Sequence, residues 1–204
     1  MKKHFLMGLL SIVFLISGCA GIEAGGEVQS GRYALRSGNP DSALVHLRRA
    51  AELDPNYNVN INPFRPSVLT FLGWSSYNAR KFPEARRALE MALARDKQDE
   101  LATLYLGLTL ARDGDERQAR QEIERALKGI RDRIDQAGTS SNYGSYWDPN
   151  MEIRYAIRTN LELISTGKID LTALESVGRK IDEEAGLASR DEAYAHRRGG
   201  DGGD

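Results

Sequence analysis

The feature that most constrains the fold is an internal repetition with a period of 34 residues. Gly73 and Gly107 lie 34 positions apart. Two alanine pairs keep the same spacing: Ala85 with Ala119, and Ala92 with Ala126. An earlier copy begins at Gly31, 42 positions before Gly73, so about eight extra residues follow that copy near 58–65. Periods of this length are typical of arrays in which each unit is one supersecondary structure packed on its neighbours.

The pattern within each copy is helical. From about 27 to 137, apolar residues recur at three- and four-residue spacing, and no segment alternates regularly enough to predict a strand. Turn-forming sequences separate the predicted helices at Asn39-Pro40, at Phe82-Pro83 and at 113–115 (Asp-Gly-Asp). The sequence therefore predicts an all-α fold built from helix-turn-helix pairs.

These features resemble the tetratricopeptide repeat, a helix-turn-helix of 34 residues. Matching small and apolar residues occur in three copies: Gly31, Ala43, Leu47, Ala50 and Pro55; Leu72, Gly73, Ala85, Leu89 and Ala92; Leu106, Gly107, Ala119, Ile123 and Ala126. In the family, the glycine and the first alanine lie where the two helices touch, so both must be small. The resemblance implies a right-handed solenoid of about three repeats over 27–137. The first copy departs from the pattern at Ser30, and the second and third lack the closing proline.

The chain after Gly138 has a different composition and predicts a cap. Residues 139–150 are rich in Ser, Asn and Gly and predict a loop. Two amphipathic stripes follow, over 151–166 and from Leu171 to Ile181. Two helices here would cover the apolar end of a repeat array. We therefore expect an aromatic loop and capping helices over 138–188 and, because the end is charged and Gly-rich, a disordered tail over 189–204.

The first 18 residues resemble a bacterial lipoprotein signal peptide. A basic start precedes an apolar run that is too short to span a bilayer, and residues 16–19 (Ile-Ser-Gly-Cys) follow. A cysteine directly after small residues resembles a lipobox. The resemblance implies a signal peptide over 1–18, acylation of Cys19 and a lipidated tether over 19–26. The alternatives are a plain transmembrane anchor and an ordinary secretory signal with a chance cysteine.

Composition argues against several classes of function. The 28 basic and 29 acidic residues are nearly balanced, so bulk charge does not indicate a nucleic-acid-binding protein. The single cysteine excludes an intramolecular disulfide. His46 and His196 lack metal-ligand spacing, and no catalytic motif is found. Carboxylates such as those of 182–184 are interpreted as a solvated face. We therefore expect no metal, no cofactor and no catalytic role.

The resemblance also implies where a partner would bind. In the family, the first helix of each repeat lines a concave groove. By position the groove would present Arg32, Arg36, Thr70, Trp74, Tyr77, Asn78, Leu108 and Arg112. Aromatic rings offer rigid apolar contact, and arginines bind carboxylates. The predicted helix around Leu108 is apolar nearly all round, which is typical of burial. Two interpretations therefore stay open: a groove that binds a partner, and a groove filled by a C-terminal helix of the same chain.

Two loops carry further aromatic residues. The insertion at 58–65 contains Phe64, and the loop at 139–150 contains Tyr143, Tyr146 and Trp147. Exposed aromatic residues on loops often mark interaction sites. The alternative interpretation, which we favour slightly, is that these rings fold back over the edge of the core.

Together, these patterns predict a lipid-anchored scaffold or adaptor that binds a protein or peptide partner. Ala20 follows Cys19 in place of the aspartate typical of inner-membrane retention, which implies the outer membrane, facing the periplasm. Lipoproteins of this kind serve in envelope assembly, in pilus or secretion machinery and in polysaccharide export. The alternatives are a cell-wall-associated enzyme or accessory factor, and a structural lipoprotein that self-associates.

Overall fold

In the computed structural model, which describes residues 21–140 and 147–184, the chain forms eight helices and no strand. The helices are α1 (21–36), α2 (Pro40–Leu53), α3 (Val68–Asn78), α4 (Phe82–Arg95), α5 (Glu100–Arg112), α6 (Glu116–Ser140), α7 (Glu152–Ser165) and α8 (171–184). Each of the helices α2 to α6 packs against the next along the chain, and α3 also packs against α5. The prediction of an all-α fold is confirmed for the described residues.

The predicted turn sequences coincide with the starts of helices: 113–115 lie between α5 and α6, whereas Pro40, Phe82 and Pro83 belong to the first turns of α2 and α4. Asn39 caps α2 by accepting a hydrogen bond from the Ser42 backbone N–H, and Pro40 occupies the first turn. Gly38 and Gly114 have φ angles of 71° and 87°, which glycine adopts without a steric penalty. Local turn chemistry therefore sets the boundaries that the sequence indicated.

A close helix contact recurs in the first three helix pairs. A Cβ atom placed on Gly31, Gly73 or Gly107 would lie 2.5, 2.4 or 2.6 Å from a side-chain carbon of Leu47, Leu89 or Ile123, respectively. No side chain fits at such distances, so the pairs α1–α2, α3–α4 and α5–α6 each depend on a glycine. The predicted role of these glycines at helix contacts is confirmed.

The insertion between α2 and α3 is folded against the core. Val59, Ile61 and Phe64 are buried, and isolated backbone bridges join Asn58 to Ser67 and Ile61 to Phe64. The Phe64 ring meets the Trp147 ring edge-on, with centroids 5.5 Å apart. These two rings therefore cover the core, as the favoured interpretation expected. Tyr143 and Tyr146 lie outside the described residues.

The N-terminal segment differs from the prediction of a tether. Residues 21–26 are helical and form the start of α1, within which Ala24 and Val28 are fully buried. A Cβ atom on Gly25 would lie 2.8 Å from the Tyr57 hydroxyl, so α1 packs closely on the insertion here. Burial of the alanine and valine stabilises a helix that the glycine content argued against. Cys19 and the predicted signal peptide lie outside the described residues.

The C-terminal region contains the two predicted helices. α6 continues through Gly138 to Ser140, so the predicted loop begins later than the composition indicated. α7 and α8 occupy the two amphipathic stripes, and residues 189–204 lie outside the described part of the chain. Within the described residues, none of the helices has the length and apolar character needed to cross a membrane.

Candidate partner-binding surface

Helix α8 lies across α1, α3 and α5. Asp182 of α8 contacts α1, Glu175 contacts α3 and α5, and Gly178 approaches Tyr105 of α5. We call the facing surface of α1, α3 and α5 the α8-binding surface. It contains Arg32, Arg36, Tyr77 and Arg112, four of the residues predicted to line a groove. The structure therefore matches the second open interpretation, in which a C-terminal helix of the same chain occupies this surface.

The contact with α1 is a buried cluster of three charges. Arg32 donates from Nε and Nη2 to Asp182 Oδ1, at 2.9 and 2.5 Å, and Arg36 donates from Nη1 to Oδ2 at 2.9 Å. The side chains of Arg32 and Asp182 are only 7% and 2% exposed, whereas that of Arg36 is 36% exposed. The Arg32 guanidinium also lies over the Phe71 ring, 5.3 Å from its centroid. Both oxygens of the Asp182 carboxylate are thus held by arginine.

The contact with α3 and α5 centres on Glu175. The Tyr77 hydroxyl donates to Glu175 Oε1 at 2.5 Å, and Arg112 donates from Nη2 to the same oxygen at 3.2 Å. Arg112 Nε also donates to the Tyr77 hydroxyl at 3.3 Å. Burial, followed by the hydrogen bond to Glu175, raises the pKa of Tyr77 to about 12. The hydroxyl therefore stays protonated at neutral pH and remains a donor to the glutamate.

Between these polar contacts lies an aromatic stack. The Trp74 ring stacks on Tyr105, with centroids 4.8 Å apart, and on Phe71 at 5.9 Å. A Cβ atom on Gly178 would lie 2.5 Å from the Tyr105 hydroxyl oxygen, so the backbone of α8 lies directly against the stack at this point. Burial raises the pKa of Tyr105 well above its usual range. A residue larger than glycine at position 178 would push α8 away from α5.

The remaining predicted groove residues have other environments. Trp74 and Leu108 are buried in the core, and Asn78 is exposed at the end of α3. Thr70 is fully buried, and its hydroxyl donates to Asp99 Oδ2 at 2.5 Å. The expected solvated face at 182–184 requires a correction, because Asp182 is buried. Because Asp182 is followed by two other acidic residues, the sequence did not distinguish it from a solvated position. Its partners, Arg32 and Arg36, lie 150 and 146 positions away.

Asp99 joins the start of α3 to the start of α5. Its Oδ1 accepts from the Ala102 backbone N–H at 2.9 Å, which caps α5, and its Oδ2 accepts from Thr70 and from the Ser67 N–H. Burial raises the pKa of the Asp99 carboxyl to about 6, although these three hydrogen bonds oppose the shift. Asp99 was not predicted from the sequence, although an aspartate directly before a helical pattern is typical of a cap.

The raised pKa of Asp99 predicts a stability that falls with pH. Between about pH 4 and pH 6 the folded state holds a proton that the unfolded state has lost, so the free energy of unfolding decreases as pH rises, by about 3 kcal/mol in total. Urea unfolding of the wild type and of Asp99→Asn at pH 4, 5, 6 and 7 measures this slope. We expect the variant to lack that component. Asp96→Asn, an exposed matched control, should keep the wild-type slope. Parallel curves for the wild type and Asp99→Asn would contradict the assignment.

A second surface lies along the outer side of α7. Met151 and Tyr155 are 60% and 62% exposed, and the Arg158 guanidinium lies over the Tyr155 ring at 5.3 Å. Clefts of about 640 and 470 Å³ flank this stripe and share Arg154 and Arg158. Exposed methionine, tyrosine and arginine are enriched at protein interfaces. It is a second exposed surface with the composition of a protein interface.

Neither a metal site in the described residues nor a related protein family indicates what this protein does. Among residues 21–140 and 147–184, no group of three or more His, Cys, Asp or Glu side chains is placed to hold a metal ion. No protein-family model matches the sequence, and no curated protein is significantly similar to it.

Proposed function

We propose that this protein is a lipid-anchored helical-repeat adaptor that binds a protein or peptide partner at the cell envelope. The observation that carries the proposal is the α8-binding surface, where arginines and aromatic rings from three helices together hold one amphipathic helix. A surface that binds its own helix in this way has the chemistry to bind a helix of another protein.

The repeat sequence and the helix contacts support a tetratricopeptide-like architecture. The 34-residue spacing of Gly73 and Gly107 coincides with the same glycine contact in successive helix pairs. In such arrays the first helix of each pair lines one face, and here Arg32, Tyr77 and Arg112 come from α1, α3 and α5, the first helices of three pairs. The shared face of these three helices is therefore the proposed binding face.

The position of Cys19 supports a short connection to the membrane. Only Ala20 separates Cys19 from the described start of α1 at Gly21. Since a chain extends at most about 3.6 Å per residue, an acylated Cys19 would lie within about 7 Å of α1. We propose that the adaptor is held at the outer membrane, facing the periplasm.

Replacing Cys19 with serine tests the anchor. We expect Cys19→Ser to accumulate as the uncleaved precursor and to lose all labelling by a radioactive fatty acid, because serine lacks the thiol that receives the diacylglyceryl group. Ser30→Ala, an exposed hydroxyl change in α1, serves as the matched control and should label normally. Normal labelling of Cys19→Ser would end the proposal of a lipoprotein.

Affinity capture from solubilised envelopes tests the adaptor function. The bait is the Gly178→Leu protein, in which α8 no longer closes the surface, and the double variant adds Arg36→Ala and Arg112→Ala to it, because both arginines are partly exposed and can be removed without opening a cavity. Trp74 is unsuitable since its removal would damage the core. We expect a partner that the double variant loses at least tenfold and that Arg48→Ala, which breaks an exposed ion pair with Glu84, retains. Retention by the double variant would move the site to the outer side of α7.

A further inference from the structure

The face of α8 that contacts the rest of the protein has a definite pattern. In order along the helix it carries Leu174, Glu175, Val177, Gly178, Ile181 and Asp182. The two carboxylates are seven residues apart, which is about two helical turns and places them on one face. The three aliphatic side chains are fully buried, and the glycine lies against Tyr105.

We propose that α8 is a resident competitor on the α8-binding surface, and that the partner is an acidic amphipathic helix with the same pattern. This inference rests on the proposed adaptor function and names the partner chemistry and the regulation of its site. When α8 is bound, the surface is closed. When α8 is released, a helix with carboxylates seven residues apart binds in its place.

The charges on the surface favour an acidic helix. Arg32, Arg36 and Arg112 provide three positive charges against the two carboxylates of α8. Arg32 is 93% buried and packed on the Phe71 ring, so a carboxylate must meet it wherever a helix binds. A helix without an acidic residue at that position would leave a buried cation unpaired, and a basic helix would be repelled.

The shape of the surface adds a second requirement. The close approach of Gly178 to Tyr105 leaves no room for a side chain at the residue three positions after the first carboxylate. A competing helix therefore needs a glycine there. Charge and shape together distinguish the proposed partner from an arbitrary amphipathic helix.

Several features allow α8 to leave without unfolding the other helices. The glycine contacts that join α1–α2, α3–α4 and α5–α6 do not involve α8. Three side chains in the ion pairs of α8 are partly exposed to solvent: Arg36 by 36%, Arg112 by 43% and Glu175 by 31%. Residues 166–170 connect α7 to α8, so α8 stays tethered to the chain when it leaves the surface.

A peptide-binding experiment tests this inference without an envelope partner. The probe is a fluorescent peptide with the sequence of residues 168–184, and the protein is the full mature chain in detergent. Because the tethered α8 has a high effective concentration, we expect weak binding to the wild type. Gly178→Leu in the chain unseats α8 and leaves the surface intact, so we expect at least tenfold tighter binding. Gly26→Leu, at an exposed helical glycine with open space around it, should bind as weakly as the wild type.

A charge-reversed peptide tests the chemistry of recognition. A peptide with Glu175→Lys and Asp182→Lys should bind Gly178→Leu at least tenfold more weakly than the native peptide. If Gly178→Leu does not fold, Glu175→Gln with Asp182→Asn in the chain loosens α8 by removing its charges, and the native peptide restores them. Hydrogen exchange of the amides in α8 reports its release in either variant.

Four outcomes would overturn the inference. The first is unchanged hydrogen-exchange protection of α8 in both variants, and the second is release of α8 without binding of the peptide. The third is equal affinity for the native and the charge-reversed peptides. The fourth is exchange of α8 between two copies of the protein, seen as a dimer mass and a surface that does not bind the peptide. Failure of the adaptor proposal has a different signature, since peptide binding would then persist while envelope capture yields no partner.

Discussion

Replacing Gly107 with leucine is expected to destabilise the protein by more than about 3 kcal/mol and to lower the unfolding midpoint by about 10 °C. A Cβ atom at this position would lie 2.6 Å from Ile123 Cγ1, 3.0 Å from the Ile123 backbone nitrogen and 3.2 Å from the Ala119 carbonyl oxygen. Two of these three atoms belong to the backbone of α6, which cannot turn aside as a side chain can. Relief of the clash requires α5 and α6 to separate.

The matched control for Gly107→Leu is Gly26→Leu. Gly26 is also helical, but it is exposed and has no atom within 4 Å of an added Cβ. Leucine there should change the free energy of unfolding by less than about 1 kcal/mol, and in the stabilising direction, because it is a better helix former than glycine. Thermal unfolding followed by circular dichroism compares the two variants. Equal midpoints for Gly107→Leu and the wild type would show that α5 and α6 do not meet at this glycine.

The helix pairs could be predicted because their determinants are close in sequence. Gly107 and the residue that it meets, Ile123, are 16 positions apart, and the same spacing recurs for Gly73 with Leu89 and Gly31 with Leu47. Proline, glycine and capping side chains set the helix ends through contacts within a few residues. Such local information is present in a single sequence.

The sequence left open whether a C-terminal helix fills the groove, because that choice depends on contacts that are distant in sequence. Asp182 and Arg32 are 150 positions apart, and Glu175 and Tyr77 are 98 apart. The amphipathic stripe predicted a helix with one apolar face, but many surfaces would satisfy that face. Glu175, Asp182 and Gly178 determine which surface α8 contacts. In the sequence of a charged helix, however, such residues are typical of solvent-exposed positions.

The start of α1 shows the opposite error, in which local propensity was given too much weight. Three glycines within residues 21–26 predicted a tether, since glycine disfavours a helix by about 1 kcal/mol relative to alanine. Burial of Ala24 and Val28, with Gly25 closely packed on Tyr57, outweighs that cost. Among the candidate site residues, Arg32, Arg36, Tyr77 and Arg112 were placed by the repeat register; a C-terminal helix in the groove was one of the two open interpretations, but its individual contacts were not predicted.

Truncating Asp182 to alanine is expected to lower the free energy of unfolding by about 3–5 kcal/mol. The substitution leaves the Arg32 guanidinium buried without its carboxylate, and the desolvation of an unpaired charge is a large cost. Arg36, whose side chain is 36% exposed, can turn towards water, so most of the loss comes from Arg32. Urea unfolding at pH 7 measures the change. Glu84→Ala, which breaks the partly exposed pair with Arg48, is the control and should cost less than about 1 kcal/mol.

A second substitution separates the buried charge from the packing of α8. Arg32→Met with Asp182→Leu replaces the pair with apolar side chains of similar length, and such exchanges are often neutral or stabilising. We therefore expect the double variant to recover most of the stability that Asp182→Ala loses. If Asp182→Ala instead costs no more than Glu84→Ala, the carboxylate does not seat α8 on α1. If Asp182→Ala and the double variant are equally unstable, the decrease in the free energy of unfolding comes from packing around α8. In that case the buried charge of Arg32 does not select an acidic helix.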